Sequence, residues 1–119
     1  MGLQTCVRHQ EEVAILDIQG RVTIGATNDS LSRELRSLVS SGERKILINL
    51  AGVPQVDSSG ISTIVRTFVT LRRQNGTLKL LRPTGHVSQV LEVTHLTHSI
   101  PTFDDEVKAV ESFRENPAG

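Results

Sequence analysis

Lys45-Ile46-Leu47-Ile48-Asn49-Leu50, Ala51-Gly52-Val53-Pro54 and Val56-Asp57-Ser58-Ser59-Gly60-Ile61 read in succession as a strand, a loop and the first turn of a helix. The first block carries apolar side chains at both even and odd positions, the pattern of a strand covered on both faces. Ala51 to Pro54 is rich in turn formers and ends the strand. Ile61, Ile64, Val65, Phe68 and Leu71 then recur at helical spacing until Asn75-Gly76 stops the helix, with Asp57 or Ser58 at its N-cap.

The same grammar extends in both directions. Upstream, Val13-Ala14-Ile15-Leu16-Asp17-Ile18 is a second doubly covered strand, with Leu3 to His9 as a weaker partner strand. Gly20-Arg21-Val22-Thr23-Ile24-Gly25 reads as a loop, and Leu31, Leu35, Leu38 and Val39 mark a helix that ends at Ser41-Gly42 and has Thr27 or Asn28 as its cap. Downstream, Leu78-Lys79-Leu80-Leu81 is a third central strand and Val87, Val90, Leu91 and Thr94 mark a short helix. Ile100-Pro101-Thr102-Phe103 is an edge strand, since Pro101 cannot donate to a ladder, and Val107, Val110 and Arg114 line a last helix. Strands alternating with helices require right-handed crossovers, so the class is α/β with a largely parallel sheet. The expectation is one domain over residues 1–119, with 115–119 a disordered tail.

Composition narrows the function. The 119 residues are 37% hydrophobic and only 3% aromatic, so aliphatic side chains must build the core. Thirteen Lys plus Arg balance thirteen Asp plus Glu, which leaves no global field to hold a nucleic acid backbone or an anionic membrane surface. Cys6 is the one cysteine and cannot form an internal disulfide, which fits a reducing compartment. The start of the chain lacks the apolar core of an export signal, and no apolar run reaches the ~20 residues of a membrane span. A cytoplasmic protein with no direct membrane insertion is expected.

Val56 to Ile61 sits beyond the carboxyl end of a strand, the edge where open α/β sheets bind their partners. A helix N-terminus there attracts anions. A phosphate on Ser58 would add about −1.5 to −2 charges. The first-turn N–H groups and the dipole would tolerate it, for a gain of roughly 0.3 to 1 kcal/mol that is partly offset by repulsion from Asp57. Against a partner the same dianion would carry a desolvation cost of several kcal/mol. Gly60 leaves room for a partner's backbone to approach. On spacing alone, Asp-Ser-Ser as a plain helix cap is the commoner reading.

Val56-Asp57-Ser58-Ser59-Gly60-Ile61 closely resembles the Asp-Ser-Ser-Gly-Leu signature of STAS domains, specifically the bacterial anti-sigma-factor antagonists. Gly20-Arg21-Val22, the strand Lys45 to Leu50, the Asn75-Gly76 stop, the strand Leu78 to Leu81 and Ile100 to Glu106 extend the likeness over about residues 3 to 114. The resemblance implies the STAS fold, a mixed, mostly parallel sheet of four or five strands with about four helices, and no catalytic activity or cofactor. It implies binding to an anti-sigma factor that is also a serine kinase of the histidine-kinase-like ATPase type. That kinase would phosphorylate Ser58, with Ser59 as secondary candidate, and a PP2C-type phosphatase would reverse it, so regulating sigma-factor-dependent transcription. The partner-binding set expected is Arg21, Thr23, Gly25, Asp57, Ser58, Ser59, Gly60, Ser62, Thr63 and Arg66. Thr23 stands where the antagonists often carry an Asp, and Ser62, Thr63 and Arg66 would either contact the partner or face water. The alternative the family offers is an accessory subunit of a membrane lipid ABC transporter.

Other chemistries find little support. His95 and His98 would meet on a helical turn but have no third ligand, and His9 and His86 are isolated. Ser58 has no Gly-X-Ser-X-Gly elbow, and neither a P-loop nor a dinucleotide glycine pattern occurs.

Overall fold

A computed structural model describes residues 2–114; the expected tail at 115–119 lies outside the described residues. The elements run β1 Gln4–Gln10, β2 Val13–Gln19, α1 Ala26–Ser40, β3 Lys45–Gly52, α2 Ser58–Arg73, β4 Thr77–Leu81, α3 Gly85–Val93, β5 Thr102–Phe103 and α4 Glu106–Arg114. A short 3-10 turn, Leu96–His98, precedes β5. The five strands lie in the order β1-β2-β3-β4-β5. β1 and β2 form an antiparallel hairpin, and the other pairings are parallel, with Ala14 opposite Ile46 and Ile46 opposite Leu78. This is the mixed, mostly parallel α/β sheet that the sequence implies.

The even-and-odd apolar pattern of β2 and β3 has a direct structural cause, because helices cover both faces. Leu16, Ile18, Ile46, Ile48, Leu78 and Leu80 pack under α1, α2 and α3 through Leu31, Leu35, Ile64, Leu71, Val87 and Leu91. The opposite face, with Val13, Ile15, Leu47 and Leu81, is closed by Ala109, Val110 and Phe113 of α4. The buried face of α4 is therefore not the Val107–Val110–Arg114 line expected from spacing. Val107 is 63% exposed and Arg114 reaches out to Glu11.

Two boundaries also shift. β3 continues through Ala51 and Gly52, because Gly52 pairs with Gln19 past a register shift and accepts from the Gly20 N–H at 3.0 Å. The cap of α1 is Gly25, at φ 105°, instead of Thr27 or Asn28. Both of those lie inside the helix, where their side chains bind other partners: Thr27 Oγ1 donates to the Thr23 carbonyl, and Asn28 Oδ1 accepts from Thr63. His9 is not isolated, since its Nε2 lies 2.7 Å from Glu43 Oε2.

On the α4 face an ion cluster ties the hairpin to the rest of the sheet. Arg8 donates to Asp17 at 2.7 and 3.2 Å and to Glu106 at 2.6 and 2.9 Å, and Asn49 Nδ2 donates to Asp17 at 2.7 Å. Hydrogen bonds from Arg8 hold the carboxyls of Asp17 and Glu106 below their ordinary range, against the opposing pull of partial burial. A carboxyl lowered in the folded state adds stability above its unfolded pKa and loses it as pH falls through the folded value. Thermal melts of the intact chain should therefore show a falling Tm as pH drops below about 4. Arg8→Met should flatten that acid limb; an unchanged limb would show that the cluster does not couple to folding.

Candidate functional site

The site is built where the loop after β2 meets the turn that enters α2. Val22 and Val56 form an isolated parallel bridge, with the Val22 N–H donating to Gln55 at 2.9 Å and the Asp57 N–H donating to Val22 at 3.1 Å. Both valines are buried in the main core, so the rim of the site is anchored from below.

Asp57 is the N-cap, in extended backbone conformation, as expected. Its Oδ1 accepts from the Ser59 N–H at 3.0 Å, the Gly60 N–H at 3.2 Å and the Ser59 hydroxyl at 2.5 Å. Its Oδ2 accepts from the Ile24 N–H at 2.8 Å. One carboxylate thus joins the α2 terminus to the loop that leads into α1. The Ser59 hydroxyl, followed by the Ile24 N–H, holds its pKa below the usual carboxylate range, so it is ionised at neutral pH.

The two serines differ. Ser58, the first residue of α2, is exposed and its hydroxyl makes no hydrogen bond among the described residues. Ser59 is partly buried and its hydroxyl is committed to Asp57. Among the described residues no base is hydrogen-bonded to Ser58. The first-turn N–H groups expected to receive a phosphate already carry a ligand, since Asp57 occupies those of Ser59 and Gly60. A phosphate on Ser58 would compete with that carboxylate or stay in water.

Of the other expected residues, Arg21, Gly25, Ser62 and Arg66 are exposed and Thr23 is partly so. The Thr23 N–H donates to Thr27 Oγ1 at 3.1 Å, which steadies the loop. Asn28, Ser59, Ile61, Ser62, Val65 and Arg66 line a shallow depression on the α2 side of the site. Two expectations are corrected. Thr63 is 2% exposed and its hydroxyl donates to Asn28 Oδ1 at 2.8 Å, so it locks α2 to α1 and presents nothing outward. Gly60 is also buried: a Cβ there would stand 2.5 Å from Val56 Cγ2 and 2.9 Å from Val22 Cγ1. Its bare Cα makes room for the domain's own valines and not for a visitor. Ile24 is the residue that sequence reasoning passed over. Its side chain is 81% exposed beside Asp57, and the one available signal was an apolar residue in an otherwise polar, glycine-bounded loop.

The family model of the STAS domain matches residues 4–109. The chain belongs to the STAS domain family. Among related proteins, this STAS domain is 27% identical over 97 residues to BtrV of Bordetella bronchiseptica, named as an anti-sigma factor antagonist; the match covers 82% of this chain and 83% of that one. Its backbone matches the crystal structure of an anti-sigma factor antagonist from Thermotoga maritima with a TM-score of 0.87, at 22% identity over 92% of this chain and 94% of that one. The Bacillus cell fate determinant SpoIIAA in its phosphorylated form matches with a TM-score of 0.70 at 17% identity, over 92% and 98% of the two chains. At these identities the structural likenesses speak for the fold.

The tight fit at Gly60 gives a stability prediction. Gly60→Ala gains up to about 1 kcal/mol of helix propensity. It also drives a methyl into two buried, β-branched side chains, Val22 and Val56, an overpacking cost of about 1–3 kcal/mol. The clash should win, and chemical denaturation should show a net loss of stability; a stabilised variant would mean that the rim repacks freely.

Proposed function

We propose that this STAS domain is a non-catalytic anti-sigma-factor antagonist, a partner-switching regulator controlled by phosphorylation of Ser58. Its partner is an anti-sigma factor that is also a serine kinase of the histidine-kinase-like ATPase type. A PP2C-type phosphatase removes the phosphate, and the output is the freeing of a sigma factor for transcription. The setting is cytoplasmic; none of the described helices is long and apolar enough to cross a membrane. The relative named as an anti-sigma factor antagonist supports this reading.

The observation that carries it is the unequal state of the two serines. Among the described residues the Ser58 hydroxyl stands exposed and without a hydrogen bond at the rim, whereas transfer to Ser59 would first have to break its bond to Asp57. That asymmetry favours Ser58 as acceptor and demotes Ser59. The switching energy follows from where the phosphate sits. In the free domain it is solvated beside Asp57 and costs little. In a closed complex it becomes a poorly paired dianion with a penalty of several kcal/mol, and each 1.4 kcal/mol is tenfold in affinity.

Incubation of the purified chain with its kinase and ATP, followed by peptide mass spectrometry, should place one phosphate on Ser58. Ser58→Ala should bind the kinase and persist in the complex, and Ser58→Asp should bind at least tenfold more weakly. Phosphate confined to another residue, or equal affinities for the two variants, would overturn the proposal.

A further inference from the structure

α1 and α2 lie side by side on one face of the sheet and leave a groove of about 460 Å³ between their middle and C-terminal parts. That volume falls within the roughly 300–1,000 Å³ of small-molecule sites. The groove runs away from the Ser58 edge. Thr70 in its wall stands about 18 Å along the α2 axis from Ser58, and Gln74 lies a turn further on.

Its charge is one-sided. Arg36 reaches the groove from α1 and Arg66 from α2, and none of the described residues that line it is acidic. Neither arginine has a carboxylate three or four residues away on its own helix, where an ion pair would form: Arg36 is flanked by Ser32, Arg33, Val39 and Ser40, and Arg66 by Ser62, Thr63, Val69 and Thr70. Among the described residues neither takes part in an ion pair. In a chain whose charges balance thirteen to thirteen, this is a local cationic excess.

The neutral groups point the same way. The hydroxyls of Ser32, Ser40 and Thr70 and the amide of Gln74 make no hydrogen bond among the described residues, whereas the deeper Thr63 and Thr67 hydroxyls already donate to Asn28 and to the Thr63 carbonyl. Idle donors beside two permanent cations call for an acceptor-rich anion, and a guanidinium fork matches a carboxylate or a phosphate two oxygens at a time. Leu35 and Val39 add an apolar wall. The negative ends of the helix dipoles act only within the last turn. Arg36 lies four residues before the end of α1 and Arg66 seven before the end of α2, so an anion held by both stays clear of those ends.

We propose that the groove between α1 and α2 binds a small organic oxyanion, a carboxylate or a phosphate ester on a compact apolar body, with Arg36 and Arg66 as its two cationic ligands. The assignment is independent of the Ser58 switch, because it uses neither that hydroxyl nor a protein partner.

The test is a titration of the full chain followed by backbone amide NMR, at a salt concentration of about 0.15 M that screens loose surface association. The probes are benzoate, phenyl phosphate, inorganic phosphate and phenol. At least one of the two organic anions should give saturable shifts over residues 32–40 and 63–74, and the tighter of them names the oxyanion. Inorganic phosphate has only the charge and phenol only the body, so each should bind at least about tenfold more weakly. Arg36→Gln and Arg66→Gln should each weaken binding about tenfold, through loss of a charge-assisted contact. Both side chains are exposed, so melts of these variants should match the wild type. No saturable shift with either organic anion up to about 10 mM would overturn the site. So would equal affinity for either half-probe, undiminished binding to the doubly substituted chain, or shifts centred on residues 58–60, which would put the anion at the start of α2.

Discussion

The carboxylate of Asp57 is the interaction on which the functional edge depends. Two segments that are distant in sequence, the loop after β2 and the start of α2, meet at a rim where the strand ladders have run out. The Val22–Val56 bridge brings the backbones alongside, and the carboxylate then closes the remaining gap by accepting from Ile24 on one side and from Ser59 and Gly60 on the other. A neutral amide in its place offers a single acceptor oxygen and cannot serve both sides. Because the charged form receives every one of these bonds, the group stays ionised, and its charge is in place before any phosphate arrives.

The rim is steady because the core reaches up to it. Val22, Val56 and Gly60 are buried directly beneath the exposed Ser58, and Thr63 ties α2 back to α1 through Asn28. On the other face of the sheet, Arg8 clamps β1, β2 and α4 through Asp17 and Glu106. Lys79 is buried against the same helix, with its ammonium bound to Ser112 and 4.7 Å from the Phe113 ring. One side of the sheet thus carries α1, α2 and α3, while polar contacts on the other hold the frame. A phosphate on Ser58 would then, under the proposed switch, change what the edge binds without loosening the fold.

Much of this was legible in the sequence for physical reasons. The unbroken apolar runs of β2 and β3 announce a doubly covered sheet, and the helical spacing of Ile61 to Leu71 announces α2. Asp57 as cap and Ser58 as the accessible serine follow from the local chemistry of a helix start. The errors have a common source, which is tertiary context. Gly60 and Thr63 sit among residues that read as surface, and only the approach of Val22 and Asn28 from another segment turns them inward. Thr27 is a good capping residue by type but finds a better partner at Thr23. Ile24 was hidden because a lone apolar residue in a loop carries no periodicity.

Under the proposed switch, the arrangement also accounts for how a phosphate on Ser58 would be decisive at a shallow edge. Two unit charges about 4 Å apart repel by about 1 kcal/mol in bulk water and by about 4 kcal/mol at the effective dielectric near a protein surface. Asp57 already occupies the two first-turn N–H groups that would otherwise cradle a phosphate on Ser58. The modified free domain therefore leaves its phosphate to water, in the high-dielectric limit, where repulsion is slight. Docking removes that water, and the same pair of charges would move toward the costly limit. Under the proposed switch, the cap that organises the edge would thus also oppose closing a phosphorylated edge against a partner.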